Sequence, residues 1–255
     1  MDTYGDRGNI IAIEKRCIWR NIETTLTKIS IGDKLNAGDF DIFFFGGGQD
    51  KAQIIVGKDL KTKKSALIKS IENDAVLLSI CGGYQLLQEY FKTTDGTTIN
   101  GIGLFDAHTI GSNVRMIQNL LIEIDLSLQS EIEKNYQTIQ PALPAGRPSN
   151  HSTNYLVGFE NHSGKTYLGQ SVKSLGTVIV GAGNNGEDKT EGAIYKNAFG
   201  CYLHGSLLPK NPHFADYLIS RALARRYGIV KLKPLDDSIE WQAHKAAIAR
   251  TRSSY

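Results

Sequence analysis

Ala75-Val-Leu-Leu-Ser-Ile-Cys81-Gly-Gly-Tyr-Gln85-Leu-Leu87 is the stretch from which the fold can be read. Six mostly apolar residues run into a cysteine, two glycines follow, and the next residues suit a helix. A short continuous apolar run fits a parallel strand covered on both faces. A buried strand that ends on a nucleophile and turns at once into a helix is a nucleophile elbow. The turn is tight, so small residues must flank the nucleophile. The helix directs its first N–H groups toward the thiol, and that field favours thiolate. Cys81 is the candidate nucleophile.

Asp41-Ile-Phe-Phe-Phe45 is a second continuous apolar strand, and it ends in Gly46-Gly-Gly48-Gln-Asp50. A helical pattern from about Lys51 to Asn73 separates it from the elbow strand. The series strand, helix, strand, helix predicts a parallel sheet with right-handed crossovers. Ligands of such sheets sit at the carboxyl ends of the strands, where both the glycine run and Cys81 fall.

Upstream, residues 4–9 read as a turn, Ile10 to Arg20 as a helix and Thr24 to Ile31, alternating and β-branched, as a strand. Downstream the strands are shorter: Leu104–Ile110, Val114–Leu126, Leu156–Glu160 and Leu175–Val180. Asp95-Gly96 and Asn100-Gly101 are turn dipeptides. About 127–154, with Pro141, Pro144 and Pro148, reads as an extended surface insertion. Phe199-Gly-Cys-Tyr-Leu-His204-Gly205 reads as a strand ending on a histidine. Asn211-Pro212 predicts an N-cap and first helical residue, and Gly228 predicts the stop of that helix after Tyr227. A last helix is expected over Asp236–Arg250. No repeat or linker interrupts the chain, so 1–255 reads as a single domain.

The 255 residues suffice for a substantial core, and a net charge of +3 offers no clustered basic face for nucleic acid. No apolar run approaches a membrane span and the first residues do not resemble a signal peptide, so a cytoplasmic protein is expected. The three cysteines, Cys17, Cys81 and Cys201, form no metal or disulfide pattern. No metal site is expected.

A cysteine nucleophile needs a base and donors for a developing oxyanion. His204, at a predicted strand end, is the candidate base. The backbone N–H groups of Gly82 and Gly48 are the candidate oxyanion donors. His162 is a rival base. His108, His151, His213 and His244 read as surface or packing residues, and Cys17 and Cys201 as core.

These residues resemble a family. Cys81-Gly-Gly-Tyr-Gln85 matches the C-x-G-x-Q elbow of class I glutamine amidotransferases, Phe43 to Asp50 resembles their oxyanion loop, and Tyr202-Leu-His204-Gly205 their histidine strand. Tyr4-Gly-Asp-Arg-Gly-Asn-Ile10, Gly158 to Gly164, Gly183 to Asp188 and His204 to Lys210 resemble the cobyric-acid-synthase-like branch, and within it the glutaminase subunits of lipid II isoglutaminyl synthases. The resemblance implies a flavodoxin-like three-layer α/β fold with a mostly parallel central sheet. It implies a subunit that hydrolyses glutamine, with Cys81 and His204 catalytic and Arg115 and Gln85 holding the substrate. It implies a Mur-ligase-like partner of the MurT type, which receives the ammonia and carries the ATP and Mg, with no cofactor on this chain. Such partners amidate the D-glutamate α-carboxyl of lipid II, a step of peptidoglycan synthesis.

The chain departs from the family pattern in places. Most members have a glutamate two residues after the histidine, where this chain has Ser206. The resemblance implies an aspartate from the partner instead, so the chain alone is expected to be a poor glutaminase. The family places a strand before the Tyr4 motif, so the sheet is expected to lack its first strand. A stand-alone γ-glutamyl hydrolase, an amidotransferase of another pathway such as cobalamin synthesis, and a non-catalytic interaction subunit are the alternatives. The absence of a G-x-x-x-x-G-K-[ST] run weighs against a built-in ATP domain.

Overall fold

A computed structural model of the chain describes residues 6–48, 50–139 and 153–253. In chain order its elements are α1 (Arg7–Ile18), β1 (Ile42–Phe45), α2 (Asp50–Glu72), β2 (Val76–Ile80), α3 (Gly82–Leu87), β3 (Tyr90–Lys92), β4 (Thr98–Asn100) and β5 (Ala107–Ile124). They continue with α4 (Leu126–Ile139), β6 (Tyr155–Leu168), β7 (Gly176–Val180), β8 (Thr190–Glu191), β9 (Ala193–Tyr195), β10 (Ala198–Cys201), α5 (Leu207–Lys210), α6 (Pro212–Tyr227) and α7 (Ser238–Ser253).

β2 is the centre of the molecule. Every residue of it is buried, as its unbroken apolar run predicts. It pairs in parallel with β1 on one side and β10 on the other, and β9 closes the sheet antiparallel to β10, giving the order β1-β2-β10-β9. The carboxyl ends of β1, β2 and β10 therefore lie side by side. They carry the glycine run, Cys81 and the approach to His204.

α2 carries the crossover between β1 and β2. Gln53, Leu60, Lys63, Leu67, Ser70 and Ile71 are buried at helical spacing, and Leu60, Leu67 and Ile71 join the main core. The helix ends at Glu72, and two residues on Asp74 holds a left-handed φ of 63° that Asp tolerates better than most residues. α6 begins at Pro212 after Asn211 and ends at Gly228, with φ 74°, as the sequence predicts. The Asn211 side chain makes no capping bond. Its Nδ2 donates to Val157 O and Leu207 O, and its Oδ1 accepts from Val157 N–H, so it joins the helix to β6.

A second sheet has the order β4-β3-β5-β7-β8, with β6 also paired to β5. The sequence reads β5 as two strands. It is one strand of 18 residues, antiparallel to β6, with the register broken between Gly111 and Met116. A bulge bends a strand without ending it, so the Gly111-Ser-Asn interruption marks a bend here rather than a turn.

Other expectations are corrected. Thr24–Ile31 is not a strand: residues 22–30 run without regular structure, and Leu26 and Ile31 are exposed. The insertion begins as helix α4, whose Leu128 and Ile132 are buried in the core and whose Asn135 donates to Ser220 of α6. Residues 140–152 of that insertion, with its prolines and His151, lie outside the described residues, as do residues 1–5.

Candidate active site

Cys81 closes β2 in an elbow. Its φ of 50° and ψ of −111° are unusual for a residue with a side chain, and such strain concentrates at functional sites. Two backbone bonds hold it: Cys81 N–H donates to Cys201 O at 2.8 Å, and Gln85 N–H donates to Cys81 O at 2.9 Å. The flanking glycines are required by space. A Cβ on Gly82 would stand 2.7 Å from Gly48 O and 2.9 Å from Gly48 N, and one on Gly83 would stand 2.7 Å from Phe45 O. The same distances put the two candidate oxyanion donors, Gly48 and Gly82, against each other. The helix that follows the nucleophile, α3, is only six residues long.

His204 lies three residues beyond β10, which ends earlier than predicted. Beyond that end the chain is held by a two-way bridge, Phe159 N–H to His204 O at 3.2 Å and His204 N–H to Phe159 O at 2.7 Å. The histidine is completely buried. Its imidazole interacts with the Cys81 thiol, and its Nδ1 bonds Asp6 Oδ1 at 3.1 Å. Burial by itself lowers its pKa, but the hydrogen bond to Asp6 and the interaction with the Cys81 thiol outweigh burial and push it up to about 9. At neutral pH this imidazole holds its proton. Asp6, from this same chain, is thus the carboxylate bonded to the His204 ring.

Asp6 belongs to the Tyr4–Ile10 motif, and the described part of that motif packs against the loop after His204. Asp6 reaches His204, while Asn9 Oδ1 accepts from Leu208 N–H at 2.8 Å. Gly8 packs so closely on Ser206 that a Cβ there would stand 2.1 Å from Ser206 Oγ. Ser206 itself holds a positive φ of 54°. Lys210 Nζ donates to Gly205 O from the other side. The loop after His204 is seated on the start of α1.

Gln85 is buried beneath the elbow. Its Oε1 accepts from Gln53 Nε2 at 3.0 Å and its Nε2 donates to Tyr202 OH at 3.1 Å. Gln53 Nε2 also reaches Gly48 O at 3.1 Å, so this pair of amides joins the oxyanion turn to the elbow helix. Tyr202 OH continues the chain of hydroxyls to Thr166 and Thr109. Gln53 and Tyr202 were not singled out from sequence, where an amide inside a helical stripe has no distinguishing signal.

Arg115 sits on the exposed bulge of β5, with Nε donating to Asn161 Oδ1 at 2.9 Å. Its neighbour Met116 faces His162 across the β5–β6 ladder. His162 stacks flat on Tyr202, ring centroids 3.6 Å apart, and its Nδ1 bonds Gly164 O at 2.8 Å. That position makes His162 part of the wall beside the histidine strand. His108 stacks between Tyr90 and Tyr167, His213 and His244 pack around Trp241, and Cys17 and Cys201 are buried. Among the described residues no group of three or more His, Cys, Asp or Glu side chains could hold a metal ion.

The chain is 38% identical over 250 residues to the lipid II isoglutaminyl synthase (glutamine-hydrolyzing) subunit GatD of Staphylococcus aureus strain N315, covering 98% of this chain and 91% of that protein. It is 37% identical over 229 residues to the subunit of the same name from Streptococcus pneumoniae strain R6, covering 89% and 78%. A solved glutamine amidotransferase superposes with a TM-score of 0.50 at 12% identity, covering 84% of this chain and 93% of that one, a likeness of fold alone. The fold is the flavodoxin-like α/β fold of class I glutamine amidotransferases. Residues 1–212 match the CobB/CobQ-like glutamine amidotransferase domain, and the chain belongs to that family.

Proposed function

We propose that this chain is the glutaminase subunit of a lipid II isoglutaminyl synthase. It hydrolyses glutamine to glutamate and ammonia and delivers the ammonia to a Mur-ligase-like synthetase. That partner would carry ATP and Mg and amidate the D-glutamate α-carboxyl of lipid II in the cytoplasm. The observation that carries the reading is the strained Cys81 elbow with His204 against its thiol at neighbouring strand ends. Supporting it are the two GatD subunits, which match most of this chain.

The chemistry follows from the positions. Cys81 Sγ, as thiolate beside the His204 imidazolium, attacks the side-chain amide carbon of glutamine. The carbonyl oxygen becomes an oxyanion that accepts from Gly48 and Gly82 N–H; one such donor is worth about 3 kcal/mol of transition-state stabilisation. His204 Nε2 gives its proton to the departing nitrogen, ammonia leaves, and a thioester remains on Cys81. The neutral imidazole then takes a proton from water, whose oxygen attacks the thioester, and glutamate is released with the thiolate and imidazolium restored. Arg115, a planar fork at the open rim, pairs with the α-carboxylate of the substrate. Gln85, with its amide committed to Gln53 and Tyr202, supports the pocket floor instead of reaching the substrate with its side chain.

The test is Cys81→Ala in complex with the synthetase. Glutamine-dependent amidation is lost and ammonia-dependent amidation is retained. Amidation from glutamine by the variant at the wild-type rate would refute the assignment.

A further inference from the structure

The oxyanion turn is three glycines in a row, Gly46-Gly-Gly48, a backbone with little dihedral preference of its own. Two side chains reach into it. Asp6 Oδ2 accepts from Gly47 N–H at 2.7 Å, and Gln53 Nε2 donates to Gly48 O at 3.1 Å. Gln53 stands on the first turn of α2 and is buried. Its Nε2 also lies 3.0 Å from the point that a Cβ on Gly82 would occupy. One amide therefore sits at the joint between the two oxyanion donors, Gly48 and Gly82.

The orientation of that amide is dictated by its neighbours. A carbonyl oxygen only accepts, so Gln53 must turn its N–H groups toward Gly48 O. The same Nε2 donates to Gln85 Oε1 at 3.0 Å, which turns Gln85 Nε2 toward Tyr202 OH at 3.1 Å. Tyr202 OH accepts there, so its own proton goes to Thr166 Oγ1 at 2.7 Å. Thr166 then donates to Thr109 Oγ1 at 2.6 Å, and Thr109 donates to Gln88 Oε1 at 2.7 Å. From Gln53 onward every proton points away from the turn, an order in which each bond polarises the next. It leaves Gln53 Oε1 buried with no hydrogen-bond partner among the described residues. Flipping the amide would set that oxygen against both Gly48 O and Gln85 Oε1. An orphaned buried acceptor calls for a reason, and here the reason is the hold on Gly48.

We propose that Gln53 is the positioning residue of the oxyanion turn: its amide holds Gly48 against Gly82, and the Tyr202 hydroxyl orients that amide through Gln85. The proposal rests on the glutaminase reading above for its substrate. Gln53 acts through Gly48, keeping its N–H where charge develops on the substrate oxygen.

Gln53→Met tests it, since the side chain keeps its length and loses both N–H groups. The glutaminase kcat of the full chain with its synthetase is expected to fall about 10–10²-fold, with KM changed by less than about threefold. Alkylation of Cys81 by iodoacetamide is the contrasting readout. There the thiolate displaces iodide from a saturated carbon and no oxyanion forms, so its rate stays within about twofold of wild type. Tyr202→Phe removes one hydroxyl and keeps the ring that stacks on His162. It lowers kcat by a smaller factor, and the double variant falls no further than Gln53→Met alone, because both act on one amide. Amide chemical shifts of ¹⁵N-labelled chain read the turn without substrate, and those of Gly48 and Gly82 move in Gln53→Met.

A Gln53→Met chain with kcat within about threefold of wild type, with unmoved Gly48 and Gly82 shifts, or with alkylation slowed as much as kcat, overturns the proposal. Losses that multiply in the double variant overturn the Tyr202 half of it. If Gln53→Met does not fold, Tyr202→Phe decides, and an unmoved Gly48 shift in that variant overturns the proposal. If the shifts move but the wild-type chain with its synthetase turns over no glutamine, the substrate reading fails and the hold of Gln53 on the turn stands.

Discussion

Glu191 offers a measurement of the electrostatics behind the histidine strand. It is fully buried, its Oε1 accepts from Tyr202 N–H at 2.6 Å, and its Oε2 has no hydrogen-bond partner among the described residues. Burial pushes its pKa from 4.5 up to about 8; the N–H groups of Tyr202 and Gly192 and the charge of His204 oppose this, and Glu160 adds to it. A carboxyl raised in the folded state binds more protons folded than unfolded between pH 4.5 and about 8, so stability falls as pH rises through that window. The cost of holding this carboxyl is about 2 kcal/mol near pH 6 and about 4 kcal/mol near pH 8.

Glu191→Gln keeps the shape and the Oε1 acceptor and abolishes the titration. Its amide N–H groups, if unsatisfied, add a penalty of about 1–3 kcal/mol that does not vary with pH. The assay is urea denaturation of both proteins at several values between about pH 5 and 9. His204 also loses stability with rising pH, present in full below 6.5 and lost through about 9, but it does so in both proteins. The expected difference is a stability gain of the variant that grows by a few kcal/mol from the acid to the alkaline end. A difference that stays flat across the range would refute the buried-carboxyl reasoning.

Other perturbations have equally direct readings. Arg16→Ala leaves buried Asp237 without the guanidinium that bonds it and leaves Asp216 with Arg20 alone, and is expected to cost about 3–5 kcal/mol in urea denaturation. Gly83→Ala drives a Cβ to 2.7 Å from Phe45 O and 3.0 Å from Gly46 O, displacing the oxyanion turn, so glutaminase activity is expected to be lost. Gly57→Ala is the control, because its Cβ is tight only against the end of the Leu86 side chain at 3.2 Å, with Ile99 Cγ2 at 3.6 Å and Asn100 O at 3.9 Å in ordinary contact, and the helix gains about 0.5–1 kcal/mol of propensity; activity and stability should both be retained.

The parts of the site legible in the sequence were those written in local pattern. The run Val76–Ile80 announces a strand buried on both faces, and the glycines after Cys81 announce a turn with no room for side chains, which the contacts with Gly48 and Phe45 bear out. Thr24–Ile31 misled because alternation specifies an extended chain, not a partner; without a ladder it is not a strand. β5 misled in the opposite way, since Gly111 and Asn113 look like punctuation, and a bulge uses the same residues as a turn. The family pattern places an acid two residues after the histidine, where this chain has Ser206. The carboxylate that bonds His204 lies 198 residues away, a separation about which local pattern says nothing.

That distance also explains why α1 is anchored as it is. The helix exposes Ile11 and Ile18 and buries Asn9, Arg16 and Cys17, so its attachment combines polar contacts with a small apolar cluster of Cys17, Ile219 and Leu232. Arg16 bonds Asp216 of α6 through Nε at 2.6 Å and Asp237 through Nη2 at 2.7 Å, and Arg20 reaches Asp216 at 2.7 Å. Such buried pairs add little net stability over apolar packing, but removing one partner leaves an uncompensated buried charge, so displacing α1 from them is costly. Asp6 stands one residue ahead of this helix, about 15 Å along its axis from Arg16. A slide or rotation of α1 would move the carboxylate away from both His204 and Gly47. The ionic cluster thus sets the position of the residue that bonds the base, and Arg16→Ala should lower glutaminase activity at temperatures where the variant is still folded. Full activity in a folded but destabilised Arg16→Ala chain would separate the anchorage of α1 from the geometry at His204.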